Sequence, residues 1–136
     1  MVAALQLQVL VGSFAIVRLD PRADVPMWAT APSALCGILR TADELTLICE
    51  ETADNALALS AIDATQRASG WCGLRVAGTL DFALTGILAG LSTTLAQAGI
   101  SIFALSTFAT DYVLVRQDDL PATCRALQKA GHSFVE

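Results

Sequence analysis

From residue 82 to residue 110 the chain carries no charged side chain, and within that run the hydrophobic period changes at Gly99. Before the glycine, Leu84, Ile87, Leu88, Leu91, Leu95 and Ala98 fall within an arc of about 100° at helical spacing, and Thr85, Ser92, Thr93, Thr94 and Gln97 lie outside it. After the glycine, a natural C-terminal cap, residues 99–116 read as two buried strands. They are joined by the polar corner Ser106-Thr107-Phe108-Ala109-Thr110-Asp111. So long an uncharged run can also span a bilayer. Here Gly86, Gly90 and Gly99 interrupt it, hydroxyls and Gln97 occupy one helical face, and its second part has lost the helical period. The economical reading is an amphipathic helix feeding a buried hairpin.

The flanks extend that pattern. Asp118 and Asp119 precede Leu120, Cys124 and Leu127, Arg125 and Lys129 come late, and Gly131 follows, so charges match the ends of a helix dipole. Residues 71–77 and 132–136 read as strands. From residue 71 onward the order is strand, helix, strand, strand, helix, strand. This is the split βαβ or ferredoxin-like arrangement, an α+β fold with an antiparallel sheet and both helices on one face.

Upstream, residues 5–19 form an unusually long extended segment that Gly12 and Ser13 divide in two, so that it can serve two sheets. Residues 20–32 hold three of the four prolines and read as a loop pinned by Trp28, with a short turn after Pro26. Residues 35–40 and 45–49 make a hairpin across residues 41–44. Thr52 then caps a helix expected over residues 53–68, with Ala56, Leu59 and Ile62 toward one side and Gly70 past its end. Because this copies the later strand pair and helix, the chain reads as a diverged duplication: an N-terminal domain over residues 1–69 and a C-terminal domain over 70–136. No proline- or serine-rich linker separates them.

Composition removes several function classes. Of 136 residues, 54% are hydrophobic and 15% charged, which excludes a solvating, disordered chain and favours buried area beyond one core, as in an oligomer. A net charge of −5 without a basic stripe excludes nucleic acid as the main partner, and no polybasic run addresses a membrane. The uncharged start lacks the basic residues of a signal peptide, so the cytoplasm is the expected location. Cys36, Cys49, Cys72 and Cys124 have no CxxC or CxxH spacing, and the one histidine, His132, has no sequence partner for a metal site. Four small buried thiols and an edge or surface histidine are the expectation, with no metal and no cofactor. The adjacent acids Asp43 and Glu44, and Glu50 and Glu51, do not mark an acid and base acting on one point, and no phosphate-cradling glycine loop is present. The chain reads as no enzyme.

Residues 76–89, 95–115 and, more weakly, 16–19, 26–29 and 41–49 resemble the ACT domain, and among ACT proteins the tandem group that includes bacterial stand-alone proteins and the CASTOR arginine sensors. The corner ending at Asp111 is the most specific part of the match. The resemblance implies tandem ferredoxin-like ACT units, strand exchange between the halves with residues 5–19 as donor, and a regulatory, non-catalytic role in binding an amino acid at the seam between ACT units. It places Ser101 and Ile102 against ligand from one unit, and Thr107, Phe108, Asp111 and the turn Leu84-Thr85-Gly86 from the facing unit, so that a symmetric homodimer builds two equivalent sites. The residue chemistry agrees. Asp111 with the Ser106, Thr107 and Thr110 hydroxyls can accept from an ammonium, and the turn over residues 78–86, opening a helix, offers N–H groups to a carboxylate. Leu84 is apolar where a cationic side chain wants a carboxylate, so a small or aliphatic amino acid fits at least as well as arginine. The competing expectation is a ligand-independent dimerisation module that regulates a partner protein.

Overall fold

The protein is described by a computed structural model over residues 4–78 and 85–136. It is α+β, built of two ferredoxin-like units. Strands β1 (Gln6–Val9) and β2 (Phe14–Leu19) split the long first segment at Gly12 and Ser13. The two strands belong to different units: one unit is Val11–Trp71, and the other joins Met1–Leu10 to Cys72–Glu136.

In the unit of residues 11–71, β2 is followed by a 3-10 turn at Met27–Thr30, by strands β3 (Gly37–Arg40) and β4 (Leu45–Glu50), and by a short helix α1 (Ala56–Ser60). The unit closes on the first half of β5 (Arg67–Val76). Pairing runs β3-β4-β2-β5, antiparallel throughout, the order a split βαβ unit requires. Period-two alternation puts Ala15, Val17, Leu45, Leu47 and Cys49 on one face, where Ala29 and Leu59 cover them and Trp28 packs alongside.

The helix expected over residues 53–68 is confined to Ala56–Ser60, with a separate 3-10 turn at Ala64–Gln66. Two local bonds explain this. Thr52 and Asn55 bond each other reciprocally, so Asn55 rather than Thr52 stands at the helix start. Farther on, Asp63 Oδ1 accepts from the Thr65 N–H at 2.8 Å and the Thr65 hydroxyl at 2.7 Å, which favours a turn over helix continuation and holds the Asp63 carboxyl below its ordinary range. Arg67 and Ala68 are then claimed by the ladder to β2, opposite Val17 and Ile16.

In the other unit, the second half of β5 is followed by helix α2 (Ile87–Gln97), strands β6 (Ile102–Ser106) and β7 (Asp111–Arg116), helix α3 (Leu120–Lys129) and strand β8 (Ser133–Val135). β7 pairs with β5 and with β6, while β1 lies between β5 and β8, antiparallel to the first and parallel to the second. The N-terminal strand thus enters a sheet made by the C-terminal part of the chain. Leu91 and Leu95 of α2 and Leu127 of α3 join Leu7, Leu74, Val76, Val113 and Val115 in one core.

Both helices end alike. The Ile100 N–H bonds the Leu95 carbonyl and the Gly99 N–H that of Ala96; the His132 N–H bonds Leu127 and the Gly131 N–H bonds Gln128. These are Schellman closures, and Gly99 (φ 75°) and Gly131 (φ 102°) supply the left-handed residue each needs.

Three expectations are corrected. β6 was expected to be buried, yet none of its residues is, because among the described residues it pairs with β7 alone and forms an edge. Of the four thiols, Cys49 and Cys72 are buried, Cys124 is half-buried and Cys36, just ahead of the edge strand β3, is exposed. His132 is not a surface residue: it is 6% exposed, and its Nδ1 accepts the Leu5 N–H at 3.0 Å. No helix among the described residues is long and apolar enough to cross a membrane.

Candidate functional site

The β6–β7 connection is a tight polar corner whose geometry follows from its own side chains. Ser106 and Asp111 are the last facing pair of the ladder, and the Ser106 hydroxyl donates to Asp111 Oδ1 at 2.6 Å. One step further, the Thr107 N–H bonds the Thr110 carbonyl at 2.9 Å, and the Thr110 N–H bonds Thr107 Oγ1 at 3.3 Å. Thr107 Oγ1 donates back to the Thr110 carbonyl at 3.2 Å. Hydroxyls thus replace backbone partners in closing the turn. Phe108, at its tip, is 83% exposed.

Thr110 differs from its neighbours. Its side chain is 3% exposed and its hydroxyl donates to the Val76 carbonyl at 2.7 Å, tying the corner to β5. It is therefore a structural pin, not one of the hydroxyls open to an ammonium, which corrects the grouping of Thr110 with Ser106 and Thr107. Thr110→Val keeps the shape but removes the donor, and is expected to cost about 1 kcal/mol. Thr110→Ser, which retains the hydroxyl, should recover part of that loss in urea denaturation.

Asp111 is half-buried and touches a small void of about 10 Å³ whose other walls are core side chains, including Leu91 and Leu95 of α2 and Val113 of β7. Ser101 and Ile102 are not gathered here. They lie at the opposite end of β6, about 13 Å along a strand at roughly 3.3 Å per residue, with Ile102 facing Val115. Thr85 and Gly86 are exposed at the start of α2, where Gly86 is the N-cap at φ 80° and no side chain caps the helix. Leu84, with most of the turn over residues 78–86, lies outside the described residues. One copy of this unit therefore brings together Ser106, Thr107 and Asp111, and sets Ser101 and Ile102 apart at the far end of the same edge.

The sequence reading did not single out the anchoring of Thr110 to Val76 or of His132 to Leu5. No local pattern signals either, since their partners are 34 and 127 residues away.

Split βαβ units with an edge hairpin and a hydroxyl-rich corner define a ferredoxin-like class of small domain, and comparison with known proteins sharpens that description. Residues 66–129 match the model of the ACT domain, and residues 12–54 match a second family model describing an N-terminal domain. The chain belongs to the ACT domain family. It is 34% identical to a structurally determined protein of Agobacterium tumefaciens, with a TM-score of 0.84 over 98% of this chain and 94% of that one. The regulatory subunit of aspartate kinase from Thermus thermophilus, in its ligand-free form, shares the fold at 15% identity and a TM-score of 0.59, covering 90% of this chain and 96% of the subunit. The aspartate kinase of Clostridium acetobutylicum, described as an allosteric enzyme, shares it at 13% identity and a TM-score of 0.66 over 91% of this chain but 34% of the kinase. No match was found among curated proteins.

Proposed function

We propose that this chain is a non-catalytic regulatory protein whose C-terminal ACT unit grips a free amino acid at a seam with the same unit of a second copy. The observation that carries the reading is the corner, where the half-buried Asp111 carboxylate is oriented by Ser106 at 2.6 Å at the turn of the edge hairpin. A carboxylate has about four acceptor positions, so one bond from Ser106 leaves capacity for an ammonium. Ser101 and Ile102 sit too far along β6 to touch that same ligand from within one copy. A second copy, placed antiparallel along the edge, brings its own Ser101 and Ile102 toward the first copy's Asp111, and two-fold symmetry repeats the site. The exposed start of α2 at Thr85 and Gly86 supplies N–H groups for the ligand carboxylate. Family membership and the likeness to an aspartate kinase regulatory subunit support regulation over catalysis.

One observation favours assembly without ligand: Phe108, the most prominent apolar side chain of the corner, is 83% exposed and suited to a subunit contact. Thermal unfolding in the presence of each of the twenty amino acids separates the readings. A ligand at a hundred times its Kd stabilises the folded chain by about 2.7 kcal/mol. One amino acid, or one chemical group of them, is expected to raise Tm accordingly, and Asp111→Ala is expected to abolish the shift while leaving the unliganded Tm nearly unchanged. A chain that dimerises yet responds to none of the twenty is an assembly module, and the sensor reading is then withdrawn.

A further inference from the structure

The hairpin of the N-terminal unit aligns two cysteines. β3 and β4 pair in the register Gly37 with Ile48 and Ile38 with Leu47, and one more step of that register sets Cys36 opposite Cys49. The hairpin is closed by the Thr41 N–H donating to the Glu44 carbonyl. Counting back from that bonded pair, bonded and non-bonded positions alternate, and Cys36 with Cys49 falls on a non-bonded one. At such positions the Cα atoms are about 4.5 Å apart and the side chains lean together, at the near end of the roughly 4.4–6.8 Å that a disulfide spans.

Two further observations put the sulfurs on one face. Cys36 Sγ donates to the Ala29 carbonyl at 2.9 Å, and Ala29 packs in the same buried cluster as Cys49. Burial, with Cys36 and then Glu51 nearby, pushes the Cys49 thiol up to about 11. Cys36 is exposed and Cys49 only 3% exposed, which divides the labour between them.

We propose that Cys36 and Cys49 form a reversible dithiol–disulfide pair, with Cys36 as the sulfur that meets a low-molecular-weight disulfide and Cys49 as the resolving sulfur. In the first step the Cys36 thiolate attacks one sulfur of the small disulfide. That S–S bond breaks, and the departing thiolate takes up the proton Cys36 gave up. In the second step Cys49, as thiolate, attacks Cys36 Sγ and expels the second small thiol, which takes the Cys49 proton. The two protein thiols are oxidised by two electrons, and the small disulfide is reduced to two thiols. Because Cys49 is held protonated by burial, the second step is the slow one and the mixed disulfide at Cys36 is its precursor. Closure pulls Cys36 off the Ala29 carbonyl and links the end of the loop before β3 to the core strand β4. With Cys36 exposed, such a link is of the readily reduced kind.

The test is incubation of the full chain with oxidised glutathione, followed by mass spectrometry of tryptic peptides under non-reducing conditions. Trypsin cuts after Arg22, Arg40 and Arg67, so the link joins peptide 23–40 to peptide 41–67. That linked pair is expected in the wild type and is reversed by excess reduced glutathione. Cys49→Ala is expected to stop at glutathione on Cys36, and Cys36→Ser to leave Cys49 unmodified. Cys72 on β5 and Cys124 on α3 also lie near each other but share no ladder position, so a link between them is the competing outcome. A wild type that accumulates the Cys36 adduct as Cys49→Ala does, or that links only Cys72 to Cys124, overturns the proposal.

Discussion

Leu95→Ala is expected to destabilise the folded chain by about 3–5 kcal/mol, the cost of emptying a fully enclosed leucine site. Leu95 is 0% exposed and sits in the last turn of α2, in the core formed with Leu91, Val113, Val115 and Leu127. Its carbonyl closes the helix by accepting the Ile100 N–H, a bond that alanine keeps, so the loss is packing alone. Typical domains are stable by only about 5–15 kcal/mol, so this one substitution removes a large share. Leu95→Met, which nearly conserves volume, should cost less than about 1.5 kcal/mol. Urea denaturation with an unchanged m-value is the measurement. A loss below about 1 kcal/mol for alanine means that the site collapses around the gap and that α2 is not held as tightly as its burial implies.

What the sequence made legible follows from how local each signal is. Helices α2 and α3 could be read because a 3.6-residue period and a terminal glycine coincide, and both glycines close Schellman motifs. Residues 53–68 misled because an alanine-rich window favours helix weakly. Asp63 spends its carboxylate on Thr65, and β2 claims residues 67 and 68, a pairing some fifty residues distant. The corner at residues 106–111 was recognisable from its turn-forming hydroxyls, but which hydroxyl pointed inward was not. Thr107 and Thr110 are equivalent as sequence, and only the placement of β5 makes one of them a buried donor to Val76. The same limit applies to β6. Its apolar residues match those of a central strand, and only the sheet order shows it as an edge.

His132 shows that limit in titratable form and carries the second large prediction. His132 falls in the turn between α3 and β8 and is buried, and Nδ1 must be unprotonated to accept the Leu5 N–H, so the ring is neutral with its proton on Nε2. Leu5 in turn accepts the Ser133 N–H, so the two residues fasten the exchanged N-terminal strand at its first step. His132→Leu leaves a buried N–H without its acceptor and is expected to cost about 2–3 kcal/mol. His132→Asn, whose Oδ1 can stand where Nδ1 does, should recover much of that. The pH dependence has a fixed sign. Burial lowers the folded-state pKa below the ordinary 6.5, so as pH falls below 6.5 the unfolded chain binds a proton that the folded chain refuses. Stability from this group is therefore full above pH 6.5 and declines below it. The slope is at most about 1.4 kcal/mol per pH unit, and the decline ends once the folded imidazole is itself protonated. Carboxylates also titrate at the acid end, so the diagnostic quantity is the wild-type stability minus that of His132→Asn, measured in urea from pH 8 to pH 5. That difference should fall with pH below 6.5. If it rises instead, the folded chain holds His132 protonated, and the Leu5 N–H cannot be its partner.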